Sequence, residues 1–238
     1  MEKSLYIYHH LGLGDHILCN AIIRWYSEKY ERIYLFVKPN NLKNVSYMYR
    51  DLSNVKFIPM DDAQTRFFMS VNKNNKYLVV GITPEWFHNF DVKKIYETFD
   101  IGFYIAANVP FEEKWNKFYF QRDMDKEKDA YYNILGLKDD EEFLFVHDDP
   151  GNGRSFKTSY IPKGIKLIRP VEWKQIGIFD FIYTIEKAKQ VHVMNSSFMN
   201  LIDTMQLKGG ELFLHEYART DMGDNPNPKL KLNWTKIK

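Results

Sequence analysis

A short apolar run, Leu5-Tyr-Ile-Tyr-His9, ends at Leu11-Gly-Leu-Gly-Asp15 and gives way at once to helical spacing. Across residues 15–30, Ile17, Ala21 and Trp25 fall in one row, with Leu18, Ile22, Tyr26 and Tyr30 in the next. That is the pattern of a helix with one buried face. The alternation continues with a strand at Ile33–Val37 stopped by Pro39, a helix over 42–52, a strand at Val55–Ile58, another helix, and a strand at Tyr77–Gly81. Strands this short and this apolar, each returned to its starting edge by a helix, pair in parallel. The result is an α/β fold in which helices cover both faces of the sheet.

The second half repeats the pattern. Strands are predicted at 143–147, 165–168, 191–194 and 211–215, with helices near 179–189 and 196–205. The charged stretch Arg122-Asp-Met-Asp-Lys-Glu-Lys-Asp129 reads as a helix start near a junction, and the end, with Pro226 and Pro228, reads as loop and tail. The chain is therefore expected to form two Rossmann-like parallel-sheet units, 1–125 and 126–238, facing each other across a cleft. Open sheets of this kind bind ligands beyond the carboxyl ends of their strands.

Charge narrows the function. Residues 1–125 carry 16 basic and 15 acidic side chains, leaving 17 and 16 for residues 126–238 out of 33 and 31 overall. Without a basic tail or stripe, no nucleic-acid partner is expected. No apolar run reaches the ~18 residues of a membrane span, so contact with a membrane would be peripheral. The opening Met-Glu-Lys-Ser reads into a strand rather than a leader, and a single cysteine, Cys19, suits a reducing cytoplasm.

Three segments carry candidate chemistry. In Leu11-Gly-Leu-Gly-Asp-His16, Gly12 and Gly14 are expected to make a sharp turn from strand to helix, with Asp15 at the helix start. A dinucleotide fingerprint would need a third glycine where Ile17 stands, and an acid where the chain has Lys38. Asp15 would also repel a phosphate. It reads either as a helix cap or as a carboxylate that takes a proton from a neutral hydroxyl. The second segment, Met194-Asn-Ser-Ser-Phe-Met-Asn-Leu-Ile-Asp203, opens a helix on small hydroxyl residues, Ser196 and Ser197, and would serve as a plain cap or a diphosphate site. The third, His147-Asp-Asp-Pro-Gly-Asn-Gly-Arg-Ser-Phe-Lys157, follows a strand and offers Arg154 and Lys157 to phosphates, or is an ordinary solvated turn. No metal site is expected, because His9, His10 and His16 lack ligand spacing and Asp123 and Asp125 lie in a charged helical stretch.

Together these segments resemble the glycosyltransferases related to the lipopolysaccharide heptosyltransferases, which have the two-domain B-type fold. Gly12, Gly14 and Asp15 match that family's opening pattern, strand then Gly-x-Gly-Asp then an apolar helix. Asn195, Ser196 and Ser197 align with its later Asp-Ser-Gly, with Asn195 in place of the acid and Asn200 at the family's histidine.

The resemblance implies transfer of a sugar from a nucleotide-sugar co-substrate to a glycan or glycolipid hydroxyl, with no cofactor and no required metal. It makes Asp15 the general base. Gly12, Gly14, His16, Asn195, Ser196, Ser197, Arg154 and Lys157 become substrate or donor contacts, the donor diphosphate lying on the second unit. Two other readings stay open: an oxidoreductase using Lys38 for an NADP 2′-phosphate, and a non-catalytic relative that binds sugar or nucleotide.

Overall fold

The computed structural model of the protein describes residues 2–81, 97–219 and 227–238. The chain divides into two compact units, Met1–Gln121 with Asn225–Lys229, and Arg122–Asp224 with Leu230–Lys238. Among the described residues each unit holds one sheet, and every strand pairing is parallel.

The first unit contains β1 (Glu2–Tyr8), β2 (Tyr30–Val37), β3 (Val55–Pro59) and β4 (Tyr77–Val79), in the order β3-β2-β1-β4. Ile7 of the inner strand β1 lies opposite Leu35 on one side and Leu78 on the other. Leu5, Ile7, Ile33 and Leu35 are buried, as strands covered on both faces require.

The helix expected from Asp15 to Tyr30 is bent into α1 (Leu13–Leu18) and α2 (Asn20–Ser27), with Cys19 between them at φ −87° and ψ 2°. The hydrogen-bond ladder runs on through the bend, because the Cys19 N–H donates to Asp15 O and its carbonyl accepts from Ile23 N–H. Cys19, Ala21 and Ile22 therefore still pack as a stripe, against Val80, Phe103, Tyr104, Ala107 and Val109. Arg24 on the same helix is buried, but its guanidinium grips Asp51 at 2.9 and 3.0 Å and donates to Tyr119 O at 2.6 Å. These bonds satisfy a charge that would otherwise be costly to bury.

The second unit contains β5 (Phe143–His147), β6 (Lys166–Ile168), β7 (Gln190–Val193), β8 (Glu211–His215) and β9 (Thr235–Ile237), in the order β6-β5-β7-β8-β9. Four consecutive residues of β5, Phe143 to Val146, are wholly buried. The charged stretch does begin a helix, Met124–Asp129, with the Asp123 carboxylate accepting the Lys126 N–H as its cap. Arg122 braces it through Glu127 and Glu186.

The tail differs from expectation. Pro226 lies outside the described residues, but residues 235–237 form β9 on the open edge of β8. The cause is Asp203, a buried carboxylate on the helix Ser197–Met205. It accepts the N–H groups of Lys231 and Leu232 and the indole N–H of Trp234, which delivers the chain to that edge. No helix among the described residues is long and apolar enough to cross a membrane.

Candidate functional site

Two groups of side chains gather at the carboxyl edges of the two sheets. In the first unit the turn after β1 places Asp15 in the first turn of α1, three residues beyond Gly12, which is the helix N-cap and makes no side-chain bond. The Asp15 carboxylate turns back toward Gly12, where the backbone N–H groups of Gly12 and of Asp15 itself favour its ionised form. Burial pushes its carboxyl up to about 6, against the opposing pull of His10, Lys38 and those two N–H groups. A carboxylate tuned in this way is ionised at neutral pH and still basic enough to accept a proton.

Gly12 serves this arrangement sterically. Its φ of −71° and ψ of 149° suit any residue, and Gly14 lies inside α1 with no left-handed backbone. The expected glycine-only turn is therefore absent. Instead, a Cβ on Gly12 would sit 2.6 Å from the Asp15 Oδ2, so glycine is what leaves room for the carboxylate.

His16, expected to contact substrate, is sealed from solvent. Its ring is fully buried, edge-on to His9 with centroids 4.3 Å apart, and neither ring nitrogen has a hydrogen-bond partner among the described residues. Burial holds both imidazoles neutral, His9 lowered to about 4 and His16 pushed well down. Exposed His10 sits beside Asp15 instead, its Nε2 2.6 Å from Gly81 O and its ring stacked on Phe103. Lys38, the residue offered to an NADP phosphate, pairs with Asp62 at 2.8 Å, and Asp62 also accepts the Tyr8 hydroxyl at 3.2 Å.

In the second unit Ser196 caps the helix Ser197–Met205, accepting the Met199 N–H at 3.5 Å, and its hydroxyl lies 3.1 Å from Nδ1 of His147 at the end of β5. Ser197 opens the helix, partly exposed, while Asn195 is buried and its carbonyl accepts from Arg219 at 2.8 Å. The start of this helix thus presents hydroxyls and backbone N–H groups, the usual setting for an anion.

Arg154 and Lys157 are not equivalent. Arg154 pairs with Asp149 at 3.1 Å, two chain segments bridged across a tight turn at Pro150–Asn152. Lys157 is exposed, with its ammonium 4.7 Å over the Tyr217 ring and no carboxylate pairing with it among the described residues. Buried Asp148 is held by Arg169 at 2.5 and 2.6 Å and accepts the Phe156 N–H at 3.5 Å, which fixes the loop just before Lys157.

Sequence reading weighed His10 only as a metal ligand, and it missed Tyr217 and a histidine pair, His192 and His215, behind the loop. One signal was present: β5 ends on His147 and β8 on His215, imidazoles at the strand ends where such sheets bind ligands. Among the described residues no three His, Cys, Asp or Glu side chains converge as metal ligands.

No family model and no curated protein matches the chain. Solved structures do. A glycosyl transferase family 9 protein from Veillonella parvula DSM 2008 superimposes with a TM-score of 0.54 at 10% identity, over 90% of this chain and 80% of that one. The E. coli ADP-heptose lps heptosyltransferase II superimposes at 0.52 with 11% identity, over 99% and 90%. At such identity the likeness is one of fold, and the chain has the fold of the heptosyltransferase-like glycosyltransferases.

Proposed function

We propose that the protein is a glycosyltransferase that moves a sugar from a nucleotide-sugar donor to a hydroxyl of a glycan or glycolipid, with Asp15 as general base. The observation that carries this reading is the Asp15 carboxyl, raised to about 6 in the first turn of the helix that follows the first strand, in a fold shared with two solved glycosyltransferases.

In the reaction the acceptor oxygen attacks the anomeric carbon as its proton passes to the Asp15 carboxylate. The bond from that carbon to the donor's phosphate oxygen breaks, and its electron pair leaves with the nucleoside diphosphate. Asp15 then releases the proton to solvent. The serine-capped helix start and the Lys157 ammonium are suited to the charge that develops on the leaving group. Arg154 has its charge balanced by Asp149 and contributes less unless that pair opens.

This assignment needs neither a metal nor a cofactor, since cationic and N–H donors take the place of a diphosphate-bound ion. The reading places the enzyme in the cytoplasm, meeting a glycolipid acceptor at a membrane surface.

The test is a thermal-shift screen of ADP, GDP, UDP, CDP and dTDP and their sugar conjugates, followed by assay of diphosphate release with candidate acceptors. ADP-heptose is the first donor to try, given the name of the second structure. A ligand at 100 times its dissociation constant adds ~2.7 kcal/mol of stability, which such a screen detects readily. Binding of NADP in preference to every nucleoside diphosphate would overturn the proposal.

A further inference from the structure

Behind the Lys157 loop a chain of hydrogen bonds runs along the adjacent strands β7 and β8. The Lys157 backbone N–H donates to the Tyr217 hydroxyl at 2.7 Å, and that hydroxyl lies 3.1 Å from Nδ1 of His215. His215 Nε2 lies 2.9 Å from Nδ1 of His192, and His192 Nε2 lies 3.2 Å from the Gln190 side-chain oxygen. The Gln190 amide nitrogen in turn donates to Glu211 at 2.8 Å.

Both ends fix the direction of the chain. A backbone N–H can only donate and a carboxylate only accept, so the Tyr217 O–H must point at His215 and each imidazole must carry its proton on Nε2. Every member then has a partner, and each histidine uses Nδ1 as an acceptor. Burial keeps both rings neutral, lowering each to about 4, which preserves those acceptors at neutral pH. The loop is gripped a second time next door, where the Phe156 ring stacks on His215 at 3.9 Å and 7°.

We propose that Tyr217 is a positioning residue for the donor. Its phenol, oriented by the His215–His192 pair, fixes the backbone of Lys157 and aims the Lys157 ammonium at the donor's diphosphate. This rests on the glycosyltransferase reading of the second unit. Lys157 makes the contact, and Tyr217 acts through it. A donor loop held only by its own turn would sample many orientations of that ammonium, whereas one clipped to the half-buried Tyr217 and the buried His215 presents it ready for binding.

The experiment measures the dissociation constant of the best-binding nucleoside diphosphate from ADP, GDP, UDP, CDP and dTDP, with kcat and donor KM where turnover is found. It compares the wild type with Tyr217→Phe, Lys157→Ala and the double variant. Tyr217→Phe keeps the ring under the ammonium and removes only the hydroxyl. Losing one such hydrogen bond should weaken diphosphate binding about fivefold and raise donor KM alike, with kcat little changed. In the Lys157→Ala background the same change should have almost no effect, because nothing remains to be aimed.

A purely structural tyrosine would instead lower the melting temperature and weaken binding equally in both backgrounds, and that result overturns the inference. So does unchanged affinity in Tyr217→Phe while Lys157→Ala binds poorly. Full affinity in Lys157→Ala, or no binding by any diphosphate, refutes the phosphate-site reading itself.

Discussion

Replacing Asp15 by asparagine should sharply reduce turnover and at the same time stabilise the protein. The carboxyl is raised from an ordinary 3.8 to about 6 chiefly by burial, so the folded state disfavours its ionised form. By linkage that displacement corresponds to ~3 kcal/mol at neutral pH, and solvent screening of the half-buried group reduces it to ~1–2 kcal/mol. Asparagine resembles the protonated acid. It keeps one acceptor oxygen for the Gly12 and Asp15 N–H groups and has no charge to desolvate. The variant should therefore be ~1–2 kcal/mol more stable than wild type at pH 8.

The sign with pH follows. Because the folded carboxyl titrates above the unfolded one, the native state holds more protons between pH 4 and 6. The wild type's penalty is complete above about 6, shrinks as pH falls, and is gone below about 4. The variant's advantage should follow the same course. Its turnover should drop ~10²–10⁴-fold, the usual loss for a general base, and wild-type activity should decline as pH falls below about 6. Denaturant melts of both proteins at pH 8 and pH 4.5, with diphosphate-release rates at pH 8, make the comparison. Full activity in the variant refutes the base assignment. An inactive variant that is less stable at pH 8 refutes the burial argument and makes the ionised carboxylate a structural strut.

Gly12→Ala should fold normally, since its backbone angles suit alanine, yet lose ~10²-fold in kcat as the new Cβ displaces the carboxylate 2.6 Å away. Wild-type melting temperature with a slow catalyst is the expected pair of readings. Asp203→Ala should destabilise the protein by ~2–4 kcal/mol, because it orphans the N–H groups of Lys231, Leu232 and Trp234, and amide exchange in Thr235–Ile237 should accelerate as β9 detaches. Stability of the wild type should fall between pH 6.5 and about 4, where the unfolded chain protonates His9, His147, His192 and His215 and the folded chain does not. Urea melts in steps of half a pH unit check this, and a flat profile would mean that the imidazoles are less deeply buried.

The fold was legible in the sequence wherever periodicity carries the information. The strand-and-helix alternation from Leu5 to Val80 specifies parallel pairing because no other arrangement buries both faces of runs such as Leu35–Val37. β9 escaped because its pairing does not come from its own residues. Thr235-Lys-Ile is too short to signal a strand, and it is brought to β8 by Asp203, thirty-odd positions earlier and on a helix. The bend at Cys19 escaped for the opposite reason: the apolar rows continue through it, so spacing alone sees a single helix.

Of the candidate site, sequence located the segments but not the state of each side chain in them. Arg154 and Lys157 look alike in a loop of 11 residues after a strand, both basic and both near glycines or small residues. The structure separates them by partner. Asp149 lies across a tight turn from Arg154 and balances it, while Lys157 has an aromatic face below and a phenol at its backbone. The same holds for Asp15 and His16, neighbours in sequence, one turned back to a pair of N–H groups and tuned to about 6, the other sealed against His9. Ionisable groups acquire their chemistry from burial and from partners tens of residues away. A motif can therefore say which residues stand near a site, and only the packed structure says which of them can move a proton or meet a phosphate.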